Sequence, residues 1–221
     1  MPFTKVLICN MALTNIGISK TIVDLDTDGS EEARICNLWY EPSLEIITEE
    51  HSWEFATSYA TGLAAVGSQP ANIDWQYAYR APVDMLRPLR LSSMQGVRKP
   101  KPNDGTTAPY RVGSDTLGKL IYTDCEPDDL SLKYLRLFDN PVYFPPSFAS
   151  SLAWLLAGHI VAPLGRDFGM RTRAMDQYRM ELSKARALEA VSSTDDPEQL
   201  SEFDRAMTGF TADQFGQPYY G

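Results

Sequence analysis

Apolar residues recur at helical spacing at both ends of the chain and alternate in its middle. From about Thr4 to Ile16 the pattern is helical, and Gly17 stands where a left-handed residue ends a helix. Ile18 to Gly29 mixes β-branched residues with Asp and Gly and reads as a loop. Ser30 is an N-cap, and Glu31 and Glu32 face the positive end of the helix dipole. Ala33, Cys36, Tyr40, Leu44 and Ile47 follow at spacings of three and four, the apolar face of a second helix that reaches Glu50. Pro42 lies inside it, so a kink is expected there. Trp53, Phe55 and Tyr59 are read as continuing into further helix.

The period changes after Gly67. Trp75 to Tyr79 is aromatic and alternating, as a strand is, and Met85 to Leu91 is a second candidate. Tyr110 to Val112, Leu117 to Thr123 and Leu130 to Phe138 follow, separated by Gly, Asp and Pro. Short strands with turn signals between them predict an antiparallel sheet. Gly96 to Gly105, with its prolines and glycines, reads as a projecting loop. Helix returns near Ser147, where Phe148, Leu152, Leu155, Leu156, His159 and Ile160 form an apolar stripe. Pro163 and Gly165 interrupt it, and a last helix runs from about Asp167 to Val191 with Met175, Tyr178, Leu182 and Ala185 on one face.

The expected fold class is therefore α+β: a helical bundle of N-terminal and C-terminal helices with an inserted antiparallel β-rich subdomain. Residues 1–67 supply the first helices, 68–146 the β-rich insertion, 147–193 the last helices, and 194–221 an extended C-terminal tail.

Composition narrows the function. A hydrophobic fraction of 43% supports a core of ordinary size. Cys9, Cys36 and Cys125 are odd in number and widely spaced, which argues against a disulfide framework or zinc ribbon and for a reducing compartment. The N-terminus lacks the basic and apolar runs of a signal peptide, and no apolar run approaches the roughly 20 residues a membrane span needs. A soluble protein is expected. The net charge of −9 weighs against sequence-independent DNA binding, which needs a basic face.

Candidate chemistry is sparse. His159 sits on an apolar stripe and His51 near a helix end, so packing roles are expected for both. No nucleophile elbow, HExxH or phosphate loop is present. Asp124, Glu126, Asp128 and Asp129 offer oxygen ligands to a hard cation but lack the calcium-loop spacing, and a solvated hairpin turn is the better reading. Glu45, Glu49 and Glu54 could pair for glycoside hydrolysis, but a solvated helix face explains them more simply. No catalytic, cofactor or metal residue is assigned.

Two segments invite partners. The loop residues Arg98, Lys99 and Lys101 stand out in an acidic chain, either as a contact to DNA or an acidic tail component, or as a solubilising tip. The tail beyond Thr194 has six acids and one base, −5 in all, yet carries Phe203, Phe210, Phe215, Tyr219 and Tyr220. A merely solvating tail is poor in aromatics. Docking on another chain is preferred here to folding back on its own domain.

Several runs together carry a resemblance. They are Ala12 to Gly17, Ile22 to Asp26, Ser30 to Cys36, Tyr40, His51 to Ala56, Tyr79 to Asp84 and Ser150 to Ala157. In this order and spacing they resemble the head-to-tail adaptor proteins of tailed bacteriophages, also called tail tubular protein A, over Val6 to Val191. The resemblance implies a helical bundle with a β-rich insertion and no enzymatic activity. It also implies a ring of about twelve copies closing on itself beneath the portal protein. The tail nozzle or tube would attach below, and genome DNA would pass through without specific binding. The protein would be made in the host cytoplasm and reside in the neck of the virion. Docking of the aromatic tail on the portal lies outside the resemblance and is an inference from its composition. A virion-associated hydrolase using paired carboxylates is the alternative, and a sequence-independent DNA binder a third.

Overall fold

Helix α1 (Lys5–Asn15) starts where the Thr4 hydroxyl accepts the Leu7 N–H at 3.1 Å. It ends where Gly17 takes a φ of +73°, so that the Gly17 and Ile18 N–H groups return to Thr14 and Leu13. The Asn10 side chain then holds the following loop: its amide donates to Ile22 O at 2.8 Å and accepts from Ile22 N at 2.7 Å. Helix α2 (Glu31–Glu49) is capped by Ser30, whose hydroxyl accepts the Ala33 N–H. It runs through Pro42, whose missing N–H leaves the Leu38 carbonyl without its usual donor; both residues are exposed, so water can satisfy that carbonyl.

The computed structural model describes residues 2–66, 74–93, 106–126, 130–165 and 167–192. Within them the chain is a mixed α+β fold of four helices and two small antiparallel sheets.

One expectation fails at the end of α2. Trp53, Phe55 and Tyr59 do not continue the helix: Glu54–Ala56 is a single 3-10 turn and Thr57–Thr61 is strand β1. Trp53 has extended backbone, with φ −61° and ψ 127°, and its indole N–H turns back to Ile47 O at 2.9 Å. The β-branched and aromatic residues Thr57, Tyr59 and Thr61 then favour a pleated surface, and a partner strand supplies it.

The remaining strands are β2 (Tyr77–Arg80), β3 (Met85–Ser93), β4 (Thr106–Thr107), β5 (Arg111–Asp115), β6 (Gly118–Thr123) and β7 (Leu130–Arg136). One sheet has the order β1-β7-β3-β4 and the other β2-β6-β5. Pro88 lies inside β3, where it is accommodated between register shifts on either side. Strand β7 serves two layers. Leu130, Leu132 and Tyr134 pack into the sheet core, and Leu135 enters the helical core.

Helix α3 (Pro146–Ile160) is buried along most of its length, and it packs against α1, α2 and α4 (Phe168–Ser192). Gly158 permits the close approach of α4, since a Cβ there would stand 2.5 Å from the Met175 sulfur. Ala174, Tyr178, Leu182 and Ala185 face the core, close to the expected stripe. Phe148 lies at the centre of an aromatic cluster, with centroids 5.0 Å from Trp53, 4.8 Å from Phe55 and 4.9 Å from Phe144. Cys9 and Cys36 are wholly buried and adjacent, and the hydrogen bond with the Cys36 thiol, with burial, pushes the Cys9 thiol up.

Both histidines pack, as expected. The Ser43 hydroxyl donates to Trp39 O at 2.7 Å, so it must accept from His159, whose Nδ1 lies 2.8 Å away and carries the proton. The ring of His51 meets the edge of Trp53 with centroids 4.9 Å apart.

Two outcomes follow. Phe148→Ala should cost about 3–5 kcal/mol of folding stability in denaturant titration, whereas Tyr143→Ala, at an exposed ring, should cost about 1 kcal/mol or less. Burial, aided by nearby arginines, holds both imidazoles below their ordinary 6.5. The unfolded chain therefore takes up these protons first as pH falls. Stability should be full above pH 6.5 and decline below it until the folded histidines themselves protonate. Thermal melts between about pH 7 and about pH 5 should show the decline, flattened in His159→Gln.

Candidate interaction surface

Two turns project beside α2. In the first, the Met85 N–H closes on Pro82 O at 3.1 Å, and Pro82 fixes the approach to Val83 at its tip. Val83 is fully solvent-exposed, at 105% of its reference area. The turn is anchored on both sides. The Ala81 N–H donates to Lys119 O, the Leu137 N–H donates to Asp84 O, and the Tyr134 hydroxyl reaches the Asp84 carboxylate at 3.2 Å.

The second turn joins β5 to β6 and carries Leu117 at 80% exposure. Asp115 shapes it by accepting the Leu117 N–H at 2.8 Å. The same carboxylate receives both terminal nitrogens of Arg80 at 2.6 and 2.8 Å, a bidentate pair that ties β2 to the tip. The Arg80 guanidinium holds the Asp115 carboxyl down to about 2. Lys119 donates to the Met85 and Leu86 carbonyls at 3.0 and 2.8 Å and so ties the two turns together. Between these turns and Glu41, Leu44 and Glu45 of α2 lies a cleft of about 590 Å³. Two exposed apolar side chains thus stand on anchored turns beside a cleft, where a contact would bury apolar area without ordering a loop.

The residues singled out from the sequence lie elsewhere. Arg98, Lys99 and Lys101, and Phe203, Phe210, Phe215, Tyr219 and Tyr220, fall outside the described residues. Glu45 and Glu49 are exposed on α2, and Glu54 is exposed in the 3-10 turn. Asp124 accepts the Gln76 N–H at 3.0 Å, which gives it a role in the turn after β6; Asp128 and Asp129 are outside the described residues. Among the described residues no group of three or more His, Cys, Asp or Glu is placed to hold a metal, and no helix is long and apolar enough to cross a membrane.

A smaller groove of about 430 Å³ is lined by Glu54, Phe55, Pro145, Ser147, Ala185, Leu188 and Glu189. A Glu189 carboxylate oxygen accepts the Glu54 backbone N–H, and burial raises the Glu189 carboxyl. Sequence reasoning passed over Glu189 because it stands on an ordinary helical pattern. It did not single out Val83 or Leu117, since Leu117 reads as the start of a strand and a lone exposed apolar residue leaves no periodic trace. The one signal was Pro82, which marks a turn. The chain matches no protein-family model, and no curated protein matches it.

The Arg80–Asp115 pair gives a direct test. In a carboxyl titration followed by NMR, Asp115 should titrate near 2, and Arg80→Ala should return it toward 3.8. An unchanged midpoint in Arg80→Ala would mean that the backbone N–H groups, not the guanidinium, hold the charge.

Proposed function

We propose that the chain is a structural subunit of the head-to-tail adaptor of a tailed phage, joining the portal to the tail nozzle or tube in a ring through which DNA passes. The observation that carries the reading is the Tyr79 to Asp84 run. It is one of the segments in which the chain resembles adaptors, and it forms the anchored turn that presents Val83 to a partner. On this reading the four helices form the bundle, since all contribute to one core, and the strands between α2 and α3 are its β-rich insertion. The acidic balance keeps passing DNA from adhering. The aromatic tail, Phe203 to Tyr220, docks on the portal.

A second reading has one specific observation in its favour. Glu54 and the raised Glu189 share an apolar groove, as a hydrolase using paired carboxylates requires. Glu189 also has a plain structural task, the capping of the 3-10 turn, and the adaptor reading needs no more of it.

Native mass spectrometry of the full chain with a portal ring separates the two. The adaptor reading expects about twelve copies on the portal, fewer in Val83→Asp/Leu117→Asp, and loss of binding when residues 194–221 are removed. A strict monomer that ignores the portal sinks it. Cell-wall turnover by the wild type that vanishes in Glu189→Gln would establish the hydrolase instead.

A further inference from the structure

Helices α2 and α4 flank α3, which packs against both. They meet each other chiefly where Tyr178 and Arg186 reach Glu50, just beyond α2. The sides they turn away from α3 are open to solvent. On α2 that side is the stripe Glu31, Arg34, Leu38, Pro42, Glu45 and Glu49, all exposed. On α4 it is Arg173, Asp176, Met180, Lys184, Ala187 and Val191, also all exposed. Both stripes advance by three, four, four, three and four residues. Each therefore runs along its helix for about 27 Å.

The two stripes complement each other in one direction. Laid parallel from their first members, Glu31 meets Arg173, Arg34 meets Asp176, and Leu38 meets Met180. Lys184 then falls at Pro42, between the exposed carboxylates of Glu41 and Glu45. Laid antiparallel, Asp176 faces Glu45 and Lys184 faces Leu38, so like charges meet and the apolar centre is broken, while Val191 lies opposite a glutamate in either direction. Leu38 is 68% exposed and Met180 50%, large areas to leave in water on helices whose opposite faces are packed. Among the described residues Arg34, Glu45, Glu49 and Arg173 have no salt-bridge partner. Asp176 and Lys184 have only partners three residues away on the same exposed helix, Arg179 and Glu181, and such pairs exchange readily.

We propose that the outward face of α2 in one copy packs, parallel and in this register, against the outward face of α4 in the next copy. The two faces differ, so the contact is heterologous: every copy offers α2 on one side and α4 on the other, and repetition closes a ring when the rotation per copy fits. The inference rests on the ring reading above and names its side-to-side contact. Leu38 and Met180 are its apolar centre, and the charges at its ends set direction and register.

Cross-linking tests it on the full chain. In a Cys125→Ser background, Leu38→Cys and Met180→Cys are made separately; Cys9 and Cys36 are wholly buried and stay silent. A short bis-maleimide should link the two variants when mixed and neither alone, and the double variant should yield a ladder. Arg173→Glu should lower the yield about tenfold or more, and Glu31→Arg should restore it. The experiment is run with and without the portal ring. No link in either condition, links in a single variant alone, or links insensitive to Arg173→Glu overturn the contact. Portal-bound copies that do not link overturn the contact and leave the adaptor reading standing. Linked copies that ignore the portal do the reverse.

Discussion

The chain leaves its helices at Trp53–Phe55 and returns to them at Phe138–Phe148, and both crossings are held in one aromatic cluster. Phe55 is within 6.1 Å of Phe138, 5.6 Å of Phe144 and 4.8 Å of Phe148, centroid to centroid. Edge-on packing of this kind contributes beyond the area it buries. Its consequence is a matter of register. Strand β1 begins two residues after Phe55, and β7 ends two residues before Phe138; Thr57 pairs with Leu135 directly beyond the clasp. A slip of one residue would turn Leu135 out of the helical core, so the rings and the sheet specify each other. The β3 strand and its partners depend on the placement of β7 in turn.

This joint also marks the limit of what could be read locally. The four helices were legible because their apolar spacing agrees with their caps: Thr4 and Ser30 at two starts, Gly17 at one end. The strands β2, β3, β5, β6 and β7 were legible through alternation and turn residues; the two-residue β4, just after the Gly96–Gly105 segment, was not. The segment from Trp53 to Tyr59 was not. Of its aromatic spacings, two and four, only the second suits a helix face, while both suit a strand, so the helical continuation rested on one spacing. What decides it is the pairing of β1 with β7, a contact far along the chain, and a backbone turn at Trp53 that no cap residue announces.

The exposed turns were less legible than the core for a related reason. Burial leaves a periodic trace because many positions must agree. An exposed turn needs only one apolar residue held outward, as Val83 and Leu117 are, and its anchors lie on other strands. Arg80 finds Asp115 across the sheet, and Lys119 finds carbonyls of β3. No local pattern records those pairings.

Charge places a constraint on any assembly of this chain. At −9 per copy, subunits repel one another at a distance. The repulsion is not spread evenly. Helix α2 carries five acids and one base, a balance of −4, while α4 carries three acids and five bases, a balance of +2. Two copies meeting at random therefore repel, and two that bring α2 to α4 attract at contact range. Salt at about 0.1 M shortens the long-range repulsion to about 10 Å. Contact pairs lose less, because a partly desolvated pair is screened less than an open one. If copies assemble, attraction confined to one orientation, set against a general repulsion, would make association of free copies slow and weak. It gives much faster closure once a scaffold holds them side by side, because effective concentration then replaces diffusion. A ring built on a portal would meet that requirement: copies remain apart until the site that needs them gathers them.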